Sequence, residues 1–437
     1  MTLKKIAALL AITGITSPAF ATNGMNMEGY GPIATGMGGA SMAYDNGTAA
    51  VINNPATLGF MTSGTSRLDI AVGGLHPAVK AKMAGMPEAK SGGDAYYMPA
   101  VGWAAKTGKL SYGVGLFSQG GMGTEYSAGS FMALGSGKEV RSELGVGRVI
   151  APLAFEVTPD LTIGGSLDFV WATLDLKMAA TGAQLGGMVT GGSGAIAAAA
   201  AGLGAAPWAR IDFSDGSDFS GAAVGSGFAG KLGFTYRVNN QLSIGAVYQS
   251  KTSMSDLETG SSGAAMTAPG FADSGKIKVK DFEWPEIYAI GVSYQVMPKL
   301  QLVMDVKHIG WADVMKSFKM TYASAGLGGT INFALPQNWK DQTVLQLGAT
   351  YMVTDQLAVR AGYNGSKNPI PDSNLNALFP AIIKDHYTFG VGYALNNMAD
   401  VNASFVYAPK VTQTNATTGV SSEHSQSNWQ VMYSQRF

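Results

Sequence analysis

The chain alternates between bulky apolar and small or polar positions. In QLAVRAGYN, Leu357, Val359, Ala361 and Tyr363 share one side, with Ala358, Arg360, Gly362 and Asn364 on the other. HYTFGVGY repeats this, setting Tyr387, Phe389, Val391 and Tyr393 against His386, Thr388, Gly390 and Gly392. TVLQLGATY, VNASFVY and KLQLVMDVK follow the same rule. A period of two with one bulky face predicts strands. Such segments recur from Arg67 to Val431, about fourteen in number, and make the chain all-β.

The links between them decide what the bulky face touches. Short links (TGK, TPD, NNQ, MPK, TDQ and NNM) alternate in strict order with long ones such as residues 178–225 and 255–286. A soluble sandwich has no reason to sort its connections by length onto one end. Transmembrane antiparallel β-barrels of the bacterial outer membrane do: they have an even strand number, tight periplasmic turns and long outer loops. In such a barrel the bulky side faces lipid. NWQVMYSQRF closes the chain with Trp429, Val431, Tyr433 and Phe437 on one face, and the terminal Phe437 resembles the signal read by the barrel assembly machinery.

Ahead of the strands, MTLKKIAALLAITGITSPAFA has a positive start at Lys4 and Lys5, an apolar middle and a small-x-small end at Ala19-Phe20-Ala21. It reads as a secretory signal peptide over residues 1–21, cleaved near Ala21. Residues 22–63 show no sustained alternation and contain AVINNPATLG, whose Pro55 disfavours a central strand. This segment is small-residue-rich, weakly polar and nearly uncharged, unlike a solvated tail. A barrel this wide has a lumen its own side chains do not fill. The expectation is an N-terminal hatch plugging the lumen, with the barrel over residues 64–437.

Composition supports this and excludes other classes. Lys+Arg and Asp+Glu are 29 each, so there is no basic footprint for nucleic acid. Only 13% of residues are charged and 59 are glycine. Cysteine is absent, which removes thiolate catalysis and disulfide staples. Gly225–Lys231, GSGFAGK, mimics a phosphate loop, but Leu232, Phe234 and Tyr236 alternate after it where a helix is required. His76, His308, His386 and His424 are scattered, and no nucleophile elbow is present. Asp212, Asp215 and Asp218 read as a solvated acidic turn rather than a Ca²⁺ loop, and Met25, Met27, Met37 and Met42 as adaptable packing. No cofactor or metal is expected.

The order of several segments resembles the FadL family of long-chain fatty acid and hydrocarbon channels. ATGMGGASMAYDNGTAAVINNPATL ends in the Asn54-Pro55-Ala56 triplet that the family carries in its hatch. GVGLFSQGGMGTEY, residues 113–126, is similar to the family's third strand; Glu283-Trp284-Pro285-Glu286 and QLAVRAGYNGSKNPIP are similar to later segments. The resemblance implies a monomer in outer-membrane lipid and lipopolysaccharide that takes up hydrophobic compounds passively. Long-chain fatty acids lead, with aromatic or alkane hydrocarbons close behind. It further implies capture among outer loops, hatch rearrangement around Asn54, Pro55 and Ala56, and sideways exit at a kink in the third strand near Phe117, Gly120, Gly121 and Gly123. Those glycines weaken a ladder and favour a bulge. A carboxylate would want a cation; the candidates are Arg360, Lys177, Lys316 and Lys319. A water-filled porin and an outer-membrane hydrolase are the contrasting classes.

Overall fold

The computed structural model describes residues 23–215, 222–260 and 263–437. The expected signal peptide and its cleavage site lie outside the described residues, as does Asp218. One antiparallel sheet closes on itself. Its wall runs through β1 (Thr65–Lys82), β2 (Tyr96–Thr107), β3 (Leu110–Tyr126), β4 (Val140–Glu156), β5 (Leu161–Ala180), β6 (Ala223–Arg237) and β7 (Leu242–Gln249). It continues through β8 (Ile287–Met297), β9 (Leu300–Ile309), β10 (Gln342–Met352), β11 (Leu357–Ser366), β12 (Asp385–Ala394), β13 (Ala399–Thr414) and β14 (Ser421–Arg436). The seam between β14 and β1 pairs from Arg67↔Arg436 to Lys82↔Ser421. Closure leaves no free edge around the ring.

The expected count of about fourteen strands is too low for this sheet. It holds eighteen strands of five residues or more, and 23 with the shorter segments. Val189–Ser193, Phe271–Lys280, Ser317–Ser324 and Thr330–Pro336 are among those missed, and they build the sheet outward at the long-link end. The reason is physical. FADSGKIKVK alternates as well as any other segment, but its second face carries Lys276, Lys278 and Lys280 rather than bulky apolar groups. A count keyed to a lipid-facing side passes over strands that stand clear of the lipid.

Around the wall, outward side chains form an apolar belt that includes Ile70, Leu153, Leu167, Ile290 and Phe389, with Leu232 69% exposed. Tyrosines such as Tyr236, Tyr294, Tyr393 and Tyr433 stand on the same outer surface, as the aromatic girdles of membrane barrels do. Such exposure is untenable in water over this area and is satisfied by acyl chains. The inward face is the opposite: Arg148, Asp168, Lys231, Asp305, Gln346, Asn364 and Asn428 are all buried.

They are buried because residues 23–60 fill the lumen. Around this segment the wall supplies acceptors and donors from many sides. Asp305 Oδ2 accepts from the backbone N–H of Ser41 (2.6 Å) and Met42 (3.1 Å), and Asp69 Oδ2 from that of Thr48 (2.7 Å). Gln346 and Asn364 donate to the carbonyls of Glu28 (3.0 Å) and Gly38 (3.1 Å), and Lys106 to that of Gly59 (2.7 Å). A segment with little regular structure must place its buried N–H and C=O groups somewhere; here the barrel takes them. Its Pro32–Thr35 helix and the 3₁₀ turns Gly47–Val51 and Pro55–Phe60 supply the rest.

Candidate functional site

The seam between β2 and β3 is incomplete. Seven pairs join them, from Thr107↔Leu110 to Val101↔Leu116, and the ladder then stops. Residues 96–100 of β2 and 117–121 of β3 continue without pairing to one another. Contact resumes only near the outer end, where Gly92 N–H donates to Glu125 C=O (2.8 Å) and Ser91 bridges Tyr126. Two local features fit this gap. Pro99, within the unpaired stretch of β2, has no N–H to give a neighbour. On the other side, β3 carries a bulge between Ser118 and Gly120, which bends a strand and raises its twist.

The edge of β3 that β2 abandons is occupied from inside. Gly121 N–H donates to Met25 C=O (3.1 Å), Met27 N–H donates to Gln119 C=O (3.4 Å), and Asn26 bridges Gly120. Three residues of the N-terminal segment thus stand in for the missing strand. Gly120 is required at this contact: a Cβ there would lie 2.1 Å from Met25 O. Tyr30 Oη reinforces the link by donating to Gln119 C=O (2.6 Å). Behind the segment, Trp284 Nε1 donates to Asn26 Oδ1 (3.4 Å), and Trp284, Trp311 and Trp339 meet edge to face at 5.5 and 5.4 Å between centroids.

An apolar cavity lies on each side of residues 25–27. The one nearer the long loops is lined by Met25, Met122, Leu144, Leu176, Phe318 and Phe379 among others. Gln337 is the polar residue among its described lining; the rest are methionine, leucine and phenylalanine. It is a narrow slot of about 30 Å³ whose flexible methionines set its width. The second cavity, about 40 Å³, is lined from within by Met27 and Tyr30 and from β2 by Pro99 and Val101, which face lipid. It reaches through the wall at the open seam.

The residues singled out from sequence divide between these places. Phe117 lines the second cavity, and Gly120 and Gly121 carry the β3 edge. Asn54, Pro55 and Ala56 sit elsewhere, on the floor of the lumen. Asn54 Nδ2 donates to Met42 C=O (2.9 Å) and to Phe234 C=O of β6 (3.2 Å), while Oδ1 accepts from Ala56 N–H (3.1 Å) and caps the turn that Pro55 begins. The triplet rests on strand glycines: a Cβ on Gly233 would meet Asn54 Oδ1 at 2.3 Å.

The four cations do not gather at either cavity. Arg360 bonds Asn402 Oδ1 (3.0 Å) near the short-turn end. Lys177 pairs with Glu139 (3.0 Å), Lys316 with Asp313 (3.4 Å) and Lys319 with Asp281 (2.8 Å). Asp212, from the acidic turn, is paired with Arg210 (2.8 Å), and burial pushes its carboxyl above the usual range. Sequence reading missed the part played by Met25–Met27, Pro99, Gln119 and Tyr30. The signal for Pro99 was present, a proline inside an alternating run; that for the other residues was not, since pairing between a loop and a strand edge leaves no period.

Comparison with known proteins settles the family. A family model described as outer membrane protein transport protein (OMPP1/FadL/TodX) matches residues 8–436. This chain belongs to that family. Among solved structures, the Pseudomonas putida toluene transporter TodX is 31% identical, with 94% of this chain and 99% of that one covered and a TM-score of 0.83. The Ralstonia pickettii toluene transporter TbuX is 29% identical over 94% and 99%, with a TM-score of 0.78. A Pseudomonas aeruginosa FadL homologue at 15% identity shares the fold, with a TM-score of 0.69 over 94% and 98%. Curated relatives match in part: a putative outer membrane protein of Neisseria meningitidis is 25% identical over 222 residues, 47% of this chain and 46% of that protein. The chain therefore spans about half the length of that relative. As a member of this family it is an outer-membrane β-barrel for transport of hydrophobic compounds.

Proposed function

We propose that this channel takes up small uncharged hydrocarbons, aromatic ones foremost, and releases them sideways into the outer membrane. The open seam between β2 and β3, with an apolar cavity on each side of Met25–Met27, carries the reading. An apolar solute gains nothing from a wet pore; it partitions between surfaces that replace water. It enters the loop-side cavity and displaces residues 25–27 from the β3 edge. It then passes into the second cavity beside Phe117 and leaves between β2 and β3 past Gly120, Gly121 and Gly123. Asn54, Pro55 and Ala56 belong to the part of the hatch that stays in place, tied to the floor of the lumen. Phe437 serves in assembly rather than transport.

A long-chain fatty acid is the less favoured cargo, because the cavity lining offers its carboxylate no cation. The names of the two toluene transporters point the same way. The deciding measurement is uptake of labelled toluene and labelled oleate by a host lacking its own transporters. Toluene uptake that depends on this gene, with oleate at background, is the expected result. The reverse pattern assigns fatty acids. Steady ion conductance in planar bilayers with neither solute taken up would make the protein a porin.

A further inference from the structure

We propose that the buried Arg148–Asp168–Lys231 cluster is a positioning device: by holding Gln119 out of the ladder with β4 it keeps the bulge in β3. It thereby decides which side chains face the transport path. The inference deepens the lateral route proposed above and rests on it for its functional meaning, though not for its structural test.

The β3 strand changes phase at its bulge. Below it Ser111, Phe117 and Gln119 point inward; above it Gly120, Met122 and Tyr126 do, although they differ from the first set by an odd number of residues. A one-residue shift in a strand flips every side chain to the other face. Without the bulge, Met122 would leave the cavity it lines and Gly121 would replace it. The transport path thus depends on β3 keeping one residue, Gln119, without a partner in β4.

Gln119 is 1% exposed and held at both ends. Its main-chain carbonyl accepts from Tyr30 Oη and Met27 N–H. Its side-chain Oε1 accepts from Arg148 Nε on β4. Arg148 is fixed in turn: Nη1 donates to Asp168 Oδ2 on β5 (2.8 Å), Lys231 Nζ from β6 donates to the same oxygen (2.6 Å), and Ser166 Oγ donates to Oδ1 (2.6 Å). Two cations share one carboxylate, all of them fully buried. Such a group is costly to leave short of partners. Loss of the bulge would draw Gln119 into the ladder opposite Val146, against the hold that Arg148 keeps on its side chain.

Cross-strand disulfides report the register directly, because the chain has no cysteine of its own. In the native register Met122 stands opposite Leu144; after loss of the bulge Gly121 would. Two double variants, Met122→Cys/Leu144→Cys and Gly121→Cys/Leu144→Cys, are oxidised in the otherwise native protein, in Gln119→Leu and in Gln119→Glu. The native and Gln119→Glu backgrounds are expected to link 122 to 144, the glutamate keeping the acceptor and balancing the second cation. Gln119→Leu should shift the ratio toward the 121–144 link by about tenfold, the worth of one hydrogen bond to a charged group. Arg148→Gln, which leaves Asp168 and Lys231 as a matched pair, is the second variant and should shift it the same way. If both variants keep the native linkage, the proposal is overturned. A shifted linkage upholds the clamp even where the native protein carries no toluene, which would sink the transport reading alone.

Discussion

Two seams of the same barrel behave in opposite ways. Between β4 and β5, sixteen consecutive pairs run from Arg141↔Lys177 to Glu156↔Thr162 without a break. Between β2 and β3, strands of 12 and 17 residues share seven pairs. The first seam is braced inside the lumen by an ion pair between Arg148 and Asp168 (2.8 Å) and by a second between Arg141 and Asp175. The second seam has a proline on one side, a bulge followed by glycines on the other, and a piece of loop serving as the neighbour. A wall built only of the first kind would be a closed tube. What makes the β2–β3 seam different is that its hydrogen bonds are on loan from residues 25–27, which no turn of the barrel holds in place. Breaking those bonds costs no strand of the wall.

The sharpest way to break the contrast is Gly120→Val. Its Cβ would stand 2.1 Å from the Met25 carbonyl and 3.0 Å from Trp284, so residues 25–27 must leave the β3 edge. Losing their backbone bonds, each worth about 1 kcal/mol, should shift the closed–open balance by about tenfold or more. The expected outcome is ion conductance in planar bilayers where the native protein is nearly silent. A variant as silent as the native protein would show that the segment does not seal the path.

Next in size is Asp305→Ala, which strikes the fixed part of the hatch. It removes the acceptor of two buried backbone N–H groups and leaves Glu28 as the carboxylate acting on Lys307, which is 6% exposed. Leaving buried N–H groups without an acceptor costs about 1–3 kcal/mol each, read as a lower urea midpoint in detergent. Toluene uptake should fall less than the stability does, because the seam itself is untouched.

These two variants also mark the limit of what could be read without the structure. The barrel was legible because lipid imposes a period of two and the periplasmic side imposes short links; HYTFGVGY carries both facts in eight residues. The hatch was legible as an absence of period with too little charge for a tail. Strands such as Ser317–Ser324 were not, because outside the lipid nothing demands a bulky face. At the site, the family resemblance singled out Gly120 and Gly121, which backbone freedom fits, while Asp305, Gln119 and Tyr30 were invisible. Each acts through a contact between residues at least 89 positions apart, and one sequence holds no record of such pairs.

Asn54→Ala is a milder perturbation of the same fixed region. The side chain caps the Pro55–Phe60 turn and ties it to Met42 and β6. Loss of a cap costs about 1–2 kcal/mol, and the strand glycines beneath leave the smaller side chain without clash. The urea midpoint should drop modestly with toluene uptake kept. Uptake abolished at near-native stability would instead make the triplet the moving part of the hatch.

Lys319→Ala should do least, and that is its use. Lys319 stands on the outer extension of the sheet and holds the Asp281 carboxyl below its ordinary range through a 2.8 Å hydrogen bond. For a carboxylate with a lowered pKa, the stabilisation is present above the ordinary value near 4 and disappears as pH falls through the native one. Both groups are largely exposed, so solvent screens the pair to a small effect even at pH 7. Native protein and variant should therefore have urea midpoints that differ little at pH 7 and converge at about pH 3. Toluene uptake should be identical in the two. A specific loss of oleate uptake in Lys319→Ala would contradict the uncharged-cargo reading, since it would give a head group a cationic partner within the outer loops.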